Sequence, residues 1–501
     1  MLRRDRLWIF GVSLLVLAVL VLFNLDHTVD DAFISFRYAE NLIRGQGLVY
    51  NPGERVEGYT NFLWVLLIAP FIAGSIDPEA AAKGLGFIAS AATLAAVVRL
   101  APSAGRFRET AWVAPLFLAS SPPFFIWTTG GMETPLFTCL LTWAAVLSAE
   151  GLEDHALPPA VGLCLGAAAL TRPEGAGAAA VLLALAWLLG PRTPQFHRSV
   201  LRGIGAFLVI VLPYFGWRWS YYGRLLPNTY YAKVGTGSPQ VGRGLQYTYA
   251  FFAYGGGWLL PPLIGLTWVD RRRVVFLLCG LVVALAGCAI FVGGDALPMF
   301  RFLVPLLPAY FLLLAMGAAG ILVRFGARRY VRPALLVILL VSAVYATRIG
   351  FTGAPYDDVT RDVREVSAWK EVGGWLRDHA PPDATVAVVP AGVIPYVSKL
   401  RAIDMLGLND ATIAHRDVPG LGSGLPGHEK FDVDYVLSRR PDIILLGVYG
   451  LDPRPRPPQD LIRYSYEAEW RMLDSQRFRD DYRIRLAHAP GGYFPYFARA
   501  R

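Results

Sequence analysis

Residues 7–31 read LWIFGVSLLVLAVLVLFNLDHTVDD, an apolar run over 7–23 followed closely by two adjacent carboxylates. An apolar run of this length can cross the ~30 Å hydrocarbon layer of a membrane as a helix. Arg3, Arg4 and Arg6 precede it, as in a signal peptide, but no small-x-small cleavage site follows. The sequence therefore predicts an uncleaved first membrane helix with its N-terminus in the cytoplasm.

Ten further apolar runs lie near 83–100, 111–127, 134–149, 157–171, 174–190, 203–220, 250–268, 274–292, 301–323 and 331–348. Arginines cluster in loops near 99–108, 192–202, 271–273 and 324–332, as cytoplasmic loops do. If all four loops are cytoplasmic, the eleven runs alternate and everything after residue 349 lies outside the cytoplasm. Asn61–Ser75 would break this alternation if it spanned, so we predict an interfacial or partly re-entrant helix there.

The overall composition excludes an ordinary soluble enzyme. The 501 residues are 54% hydrophobic and 17% charged, against about 25% charged in soluble proteins, and the mean hydropathy is +0.42. The net charge of +9 comes from basic residues between apolar runs, which argues against a nucleic-acid partner. The four cysteines lie inside apolar runs, so neither a disulfide scaffold nor a zinc site is indicated.

The chain changes character near residue 350. Charged residues return, and β-rich runs at Thr385–Pro390 and Asp442–Tyr449 alternate with a helical run at Arg361–His379. We therefore predict an α-helical polytopic membrane module over 1–348, with its first outer loop at 24–82, and an extracytoplasmic α/β domain over 349–501. The module has about 11 transmembrane helices and one interfacial helix.

The polar segments that interrupt the apolar runs all fall on the predicted outer face, where ionisable groups are functional candidates. Asp30 and Asp31 are the sharpest of them. Repulsion between adjacent carboxylates raises the pKa of one, which suits a proton acceptor at neutral pH. Alternatively, the pair is an acidic cap on the amphipathic helix that follows. Both interpretations stay open, since adjacent side chains point in different directions.

Two further sets of outer-loop residues are candidates for binding. The basic side chains suited to a phosphate are Lys233, Arg301, Arg37 and Arg55, although each taken alone is also typical of an interfacial anchor. The candidates for binding sugar or acceptor are Glu133, Arg172, Glu174, Asn228, Tyr230, Asp295 and His428. Their alternatives are helix capping, pairing with Arg172, a place in an interfacial belt, or simple exposure. No metal site or cofactor is indicated, though a divalent cation is compatible with these residues.

An Asp-Asp pair that opens the first outer loop resembles the GT-C class of membrane glycosyltransferases. The segments beginning at Asp30, Arg55, Gly131, Leu226, Gly293 and Ile403 together resemble the terminal β-(1→2)-arabinofuranosyltransferase (AftB-like) family over about 28–440. The resemblance implies a decaprenyl-phosphate arabinofuranose donor and an arabinan acceptor. The chain looks shorter than those proteins, mainly in its outer domain.

We therefore expect an enzyme that moves a sugar, with arabinofuranose as the first candidate, from a polyprenyl-phosphate donor to a cell-envelope glycan or glycolipid. The resemblance places it in a bacterial inner membrane, among membrane lipids, with transfer on the outer face. Asp30 and Asp31 are the expected catalytic residues. The alternatives are a flippase or transporter of a lipid-linked glycan, which needs polar groups at mid-membrane depth, and a non-catalytic glycan-binding assembly protein.

Overall fold

The computed structural model describes residues 3–101, 110–235, 237–256, 261–349 and 351–500. The chain divides into two compact units. The first, called the helical unit, comprises Met1–Asp26, Ala82–Arg218 and Gly242–Asp358. The second, called the mixed unit, comprises His27–Ala81, Trp219–Val241 and Val359–Arg501.

Most of the helices before residue 350 follow the apolar runs of the sequence. In chain order they are α1 (Arg3–Leu22), α2 (Asp30–Ile43), α3 (Phe62–Ala73), α4 (Pro78–Leu100), α5 (Val113–Ser120), α6 (Pro122–Thr129), α7 (Thr134–Glu153), α8 (Ala160–Thr171), α9 (Glu174–Leu189), α10 (Pro194–Tyr222), α11 (Asn228–Lys233), α12 (Ser238–Phe251), α13 (Arg272–Phe291), α14 (Leu307–Phe325) and α15 (Val331–Ile349). A π-helical turn (Phe252–Gly256) and two 3₁₀ segments (Pro261–Trp268 and Arg301–Leu306) join them.

Among the described residues, seven helices are long and apolar enough to cross a membrane, against the eleven predicted. The other four runs are short or interrupted. Pro122 ends α5 and starts α6, because proline lacks the N–H that continues a helix. Helices α8 and α9 have 12 and 16 residues. The run 250–268 contains the π-helical turn and a 3₁₀ segment. Eleven crossings therefore stay a prediction.

The segment predicted not to span is α3, which has 12 residues. At about 1.5 Å per residue it is roughly 18 Å long, too short for a straight crossing of the membrane core. Helix α2 before it has 14 residues, and residues 32–39 are buried on every side of it, including Phe33, Phe36 and Tyr38. Both helices belong to the mixed unit. The length of α3 agrees with the prediction that it does not span, and its interfacial position stays a prediction.

After residue 350 the chain forms α16 (Ala354–His379), β1 (Thr385–Val388), α17 (Val393–Ser398), β2 (Arg401–Asp404), α18 (Ala411–Ala414), α19 (Val433–Ser438), β3 (Ile443–Ile444), α20 (Glu467–Asp474), α21 (Gln476–Asp481), β4 (Tyr482–Ala489) and β5 (Gly492–Arg499). The sheet order is β2-β1-β3-β5-β4. Strand β1 pairs in parallel with β2 and β3, and β5 pairs antiparallel with β3 and β4. Its core includes Ala387, Ile403 and Ile444. The predicted strand-containing C-terminal domain is thus confirmed.

The boundaries of the two compact units differ from the single domain boundary at residue 349 that the composition predicts. Residues 27–81 group with the C-terminal residues rather than with the apolar helices. Buried hydrogen bonds explain this grouping: the Tyr50 hydroxyl donates to the Ala391 carbonyl at 2.6 Å, and the Asn51 amide donates to the Ala402 carbonyl at 2.8 Å. Such long-range pairs are invisible in a local composition profile.

Candidate functional site

Asp30 and Asp31 occupy the first turn of α2 but make different contacts. The N-cap of α2 is Val29, which offers no side-chain cap, so neither aspartate caps its own helix. Asp30 instead accepts hydrogen bonds from the backbone N–H groups of Gly392 (2.8 Å) and Val393 (2.7 Å), at the start of α17. A Cβ atom on Gly392 would overlap the Asp30 carbonyl oxygen. Glycine at 392 therefore permits the close approach that these two hydrogen bonds require. We call the pair of hydrogen bonds the Asp30 clamp.

Asp31 faces a cation instead of a helix end. Its Oδ2 lies 4.0 Å from Lys233 Nζ, and the two side chains are 26% and 29% exposed. At this separation the pair is loose, so both groups keep capacity for a further partner. A partly exposed carboxylate next to an ammonium group can accept a proton while the ammonium stabilises a nearby anion. Asp30 thus holds the start of α17, whereas Asp31 is open to a ligand.

Burial raises the pKa of Asp30 to about 7, and the negative charge of Asp31 adds to this effect. The two N–H donors at 392 and 393 act in the opposite direction. The raised pKa that the sequence predicts for one carboxyl of the pair is therefore found, and that carboxyl is Asp30. Burial is the largest cause of the raised pKa of Asp30, and the repulsion by the adjacent carboxylate that the sequence predicts is a smaller one.

Lys233 is the last residue of α11, and two contacts fix that short helix. The Asn228 side chain at its start donates to the carbonyls of Gly407 (2.8 Å) and Leu408 (2.9 Å). At the other end, Gly427 lies against the lysine stem, and a Cβ atom there would come within 3.0 Å of Lys233 Cε. Asn228 therefore positions the helix. Tyr230 packs edge-on against Tyr231, with ring centroids 5.9 Å apart.

Asp404, to which sequence analysis assigns no role, organises the turn that holds Asn228. It is buried and accepts from the N–H groups of Leu406 (3.0 Å), Gly407 (3.1 Å) and Asn409 (2.8 Å). Burial raises its pKa to about 6. The signal in the sequence is an aspartate at a strand end with a glycine three residues later, a pattern typical of a side-chain-stabilised turn.

Arg37 is not placed to bind a phosphate, which corrects the prediction. Its buried guanidinium donates to the backbone carbonyls of Tyr50 (2.7 Å), Leu400 (2.8 Å) and Pro395, and to the Asn51 side chain (3.2 Å). Four of its five N–H groups are thus engaged within the mixed unit. Arg37 braces the fold.

Two other predicted residues of the mixed unit lie on aromatic rings. The exposed Arg55 guanidinium lies 4.8 Å from the centroid of the Tyr221 ring. The His428 ring stacks on Tyr466, with centroids 4.4 Å apart and planes 14° apart. Arg55 thus keeps an accessible charge, and His428 belongs to an aromatic stack beside the loop that carries Gly427.

The remaining predicted residues form a buried ionic cluster in the helical unit. Arg172 donates to Glu133 (2.9 Å) and Glu174 (2.8 Å). Arg301 contacts both carboxylate oxygens of Asp295, at 2.7 and 3.1 Å. Glu133 and Glu174 thus both pair with Arg172, which is the alternative to sugar or acceptor binding that the sequence left open for them. Because each guanidinium already faces a carboxylate, an incoming anion must compete for it.

The helical unit also contains an apolar groove. Its lining includes Phe117, Pro122, Phe251, Tyr254, Phe300 and Tyr310, around about 610 Å³ of empty space that includes its open mouth. Phe300 directly precedes Arg301. Arg301 itself is buried against Asp295 and is not among the lining residues, so the groove by itself suits an apolar ligand.

Over the described part of the chain, no group of three or more His, Cys, Asp or Glu side chains is arranged to hold a metal ion. The predicted site residues fall into two sets. Asp30, Asp31, Arg37, Arg55, Asn228, Tyr230, Lys233 and His428 lie in the mixed unit, and Glu133, Arg172, Glu174, Asp295 and Arg301 lie in the helical unit.

Comparison with known proteins gives one family match and two curated relatives. A family described as "Domain of unknown function (DUF8728)" matches residues 358–496. Two proteins named terminal β-(1→2)-arabinofuranosyltransferase are similar to the chain. The one from Mycobacterium tuberculosis is 31% identical over 271 residues, covering 50% of this chain and 42% of the relative. The one from Corynebacterium glutamicum is 27% identical over 332 residues, covering 55% and 47%. The chain spans less than half the length of either relative.

Solved structures show the same fold at low identity. ArnT from Cupriavidus metallidurans bound to undecaprenyl phosphate aligns with a TM-score of 0.59 and 13% identity, covering 87% of this chain and 92% of that one. The arabinofuranosyltransferase AftD from Mycobacteria gives 0.55 and 17%, covering 100% and 40%. The Archaeoglobus fulgidus oligosaccharyltransferase tethered with an acceptor peptide gives 0.53 and 12%, covering 100% and 74%.

These comparisons confirm the predicted GT-C fold and the predicted resemblance to arabinofuranosyltransferases. Since seven helices in the described part of the chain are long and apolar enough to cross a membrane, the chain is an integral membrane protein.

Proposed function

We propose that the protein is a membrane glycosyltransferase that moves a sugar from a polyprenyl-phosphate donor to a cell-envelope glycan or glycolipid. The observation that carries this proposal is the half-exposed Asp31 carboxylate 4.0 Å from the Lys233 ammonium. Glycosyl transfer from a phosphate needs a base for the acceptor hydroxyl and a cation for the departing phosphate. The names of the curated relatives, both arabinofuranosyltransferases, favour arabinofuranose as the sugar.

The proposed reaction uses few protein groups. The Asp31 carboxylate removes the proton of the acceptor hydroxyl as its oxygen bonds to the anomeric carbon. The bond from that carbon to the phosphate oxygen breaks, and the polyprenyl phosphate leaves with the electron pair. Lys233 stabilises the negative charge that develops on the departing phosphate. Asp30 acts as a positioning residue, because its clamp on Gly392 and Val393 fixes the start of α2.

The helical unit supplies features suited to the lipid part of the donor. The apolar groove matches an isoprenoid chain in polarity. The solved ArnT structure, whose fold is similar, was determined bound to undecaprenyl phosphate. We therefore propose that the groove takes part of the polyprenyl chain.

The decisive experiment is product release by the purified full chain. Incubated with a radiolabelled polyprenyl-phosphate arabinofuranose and an arabinan oligosaccharide, it should release free polyprenyl phosphate and label the oligosaccharide. A flippase or a glycan-binding assembly factor would leave the donor bond intact. Intact donor after prolonged incubation, with several sugars on the carrier tested in parallel, would contradict the proposed function.

We also propose that the protein resides in a bacterial inner membrane and that residues 349–501 lie on its outer face. The support is the alternation of the arginine-rich loops. A single cysteine at Thr360, in a variant without the four native cysteines, should react with a membrane-impermeant maleimide in intact cells. A control cysteine at Arg272 should react only after permeabilisation. Labelling of 360 only in permeabilised cells would reverse the proposed orientation.

A further inference from the structure

Glu365, on α16 in the mixed unit, is a partly buried carboxyl that the proposed reaction does not use. Its side chain is 16% exposed, and burial raises its pKa to about 7. Its closest cation is Arg361, whose Nε lies 3.9 Å away and whose side chain is 55% exposed. That separation is too long for a hydrogen bond. Among the described residues, the Glu365 carboxyl has therefore lost most of its water without gaining a hydrogen-bond donor.

Glu469 shows how the same unit holds a carboxyl with a structural role. It is buried, and its two oxygens accept hydrogen bonds from three backbone N–H groups, those of Gly447 (2.7 Å), Ser465 (3.1 Å) and Tyr466 (3.2 Å). Such donors offset the loss of water on burial. Glu365 has no equivalent donors within the described part of the chain, so the fold alone does not explain its burial.

Three partly exposed rings form a row close to Glu365, called the aromatic row: Tyr449, Tyr466 and His428. Tyr449 packs edge-on against Tyr466, with ring centroids 5.9 Å apart, and His428 stacks on Tyr466 at 4.4 Å. The buried Trp369 packs edge-on against Tyr449 at 6.1 Å and supports that end of the row. After burial, the charge of Glu365 is the largest cause of the raised pKa of Tyr466. The carboxyl therefore lies close to the middle of the row.

The aromatic row begins next to the Asp31–Lys233 pair. Gly427 lies against the stem of Lys233, and a Cβ atom at 427 would come within 3.0 Å of Lys233 Cε. His428 is the next residue, about 3.8 Å further along the chain. Its ring is fixed by a hydrogen bond from Nδ1 to the Pro426 carbonyl at 3.0 Å. A ligand that contacts Asp31 and Lys233 therefore has the first ring of the row within reach.

We propose that the aromatic row and Glu365 form a subsite for the acceptor glycan, beyond the sugar unit that receives the transfer. A sugar ring has C–H faces that pack on aromatic side chains and hydroxyl groups that donate hydrogen bonds to a carboxylate. These hydroxyl groups supply the donors that Glu365 lacks. An acceptor whose end lies at Asp31 continues over His428 and Tyr466 toward Glu365. The inference rests on the proposed function, because it takes the Asp31–Lys233 pair as the place of transfer.

The subsite is tested by calorimetric titration of the full chain, in detergent micelles and without donor, with an arabinan hexasaccharide. Glu365→Gln keeps the size of the side chain but loses its charge, and it should weaken binding about tenfold, the effect of one hydrogen bond to a charged group. Its melting temperature should not fall, because the substitution removes a buried charge without hydrogen-bond donors. Tyr466→Leu removes the central ring and should weaken binding about fivefold.

The matched control is Glu467→Gln. Glu467 also pairs with an arginine four residues away, Arg471, at 3.1 Å, but its side chain is 50% exposed. This variant should bind the hexasaccharide as the wild type does. Wild-type affinity in both Glu365→Gln and Tyr466→Leu, or a wild type that does not bind the hexasaccharide, would overturn the subsite. If Glu365→Gln does not fold, Tyr466→Leu alone decides. A chain that binds as expected but transfers no sugar would contradict the proposed function and leave the glycan subsite standing.

Discussion

Replacing Asp31 by asparagine is expected to lower sugar transfer at least about 100-fold, because a positioned general base contributes ~10²–10⁴-fold to a rate. The amide keeps the size of the side chain but cannot accept the acceptor proton. Since Asp31 is 26% exposed and its closest charged contact lies 4.0 Å away, the substitution should leave the melting temperature within a degree or two. The measurement is product formation under saturating donor, alongside thermal unfolding of the same preparation.

Asp30→Asn is the control, because it changes the adjacent carboxyl, whose proposed role is to hold the fold and not to accept a proton. Both Asp30 oxygens accept backbone N–H groups, and an amide would turn an NH₂ group toward one of those donors. We expect a lower melting temperature and an activity loss that follows the loss of folded protein. Wild-type turnover in Asp31→Asn would eliminate Asp31 as the base. A large melting shift in Asp31→Asn would make it structural instead.

The parts of the fold that the sequence predicts are those fixed by local composition. The length and polarity of the first apolar run predict α1, and the polar pattern after Asp30 predicts the amphipathic helix α2. The run 111–127, in contrast, reads as one span but breaks at Pro122. Hydropathy averages over such a break, whereas the missing N–H of proline ends the helix.

The candidate residues are predicted by chemical type, and their roles are decided by partners far away in sequence. Arg37 and Lys233 both read as phosphate ligands. Arg37 donates a hydrogen bond to the Leu400 carbonyl, 363 positions away, and so stabilises the fold. Lys233, in contrast, keeps a half-exposed ammonium. The Asp30 clamp on Gly392, 362 positions away, is equally inaccessible to local reasoning. Only the fold separates a satisfied charge from an available one.

Lys233→Ala should lower kcat/KM for the lipid donor about 100-fold, since removing one preorganised donor from a developing anion costs ~10²–10³ in rate. Lys233→Arg should recover part of the loss by keeping the charge. A matched control is Lys399→Ala in the same unit, whose ammonium pairs with Glu40. The control should keep wild-type kinetics. Unchanged donor kinetics in Lys233→Ala would remove this residue from the site and leave Arg55 and Arg301 as the basic candidates.

The position of the ammonium can be tested without removing it, through Gly427, which lies against Lys233, and Gly420, which serves as the control. Gly427 and Gly420 have φ +78° and +76°, so alanine costs the same backbone strain at either position. A Cβ atom at 427 would come within 3.0 Å of Lys233 Cε, whereas at 420 it meets only Ser423 Oγ at 3.7 Å. Gly427→Ala should therefore raise the KM for donor about tenfold, less than the ~100-fold that a full 1 Å misplacement can cost. Gly420→Ala should destabilise the protein equally but change KM less than about twofold, because it leaves the lysine in place. Equal kinetics in the two variants would show that the placement of Lys233 does not matter, and its charge would then act only at long range.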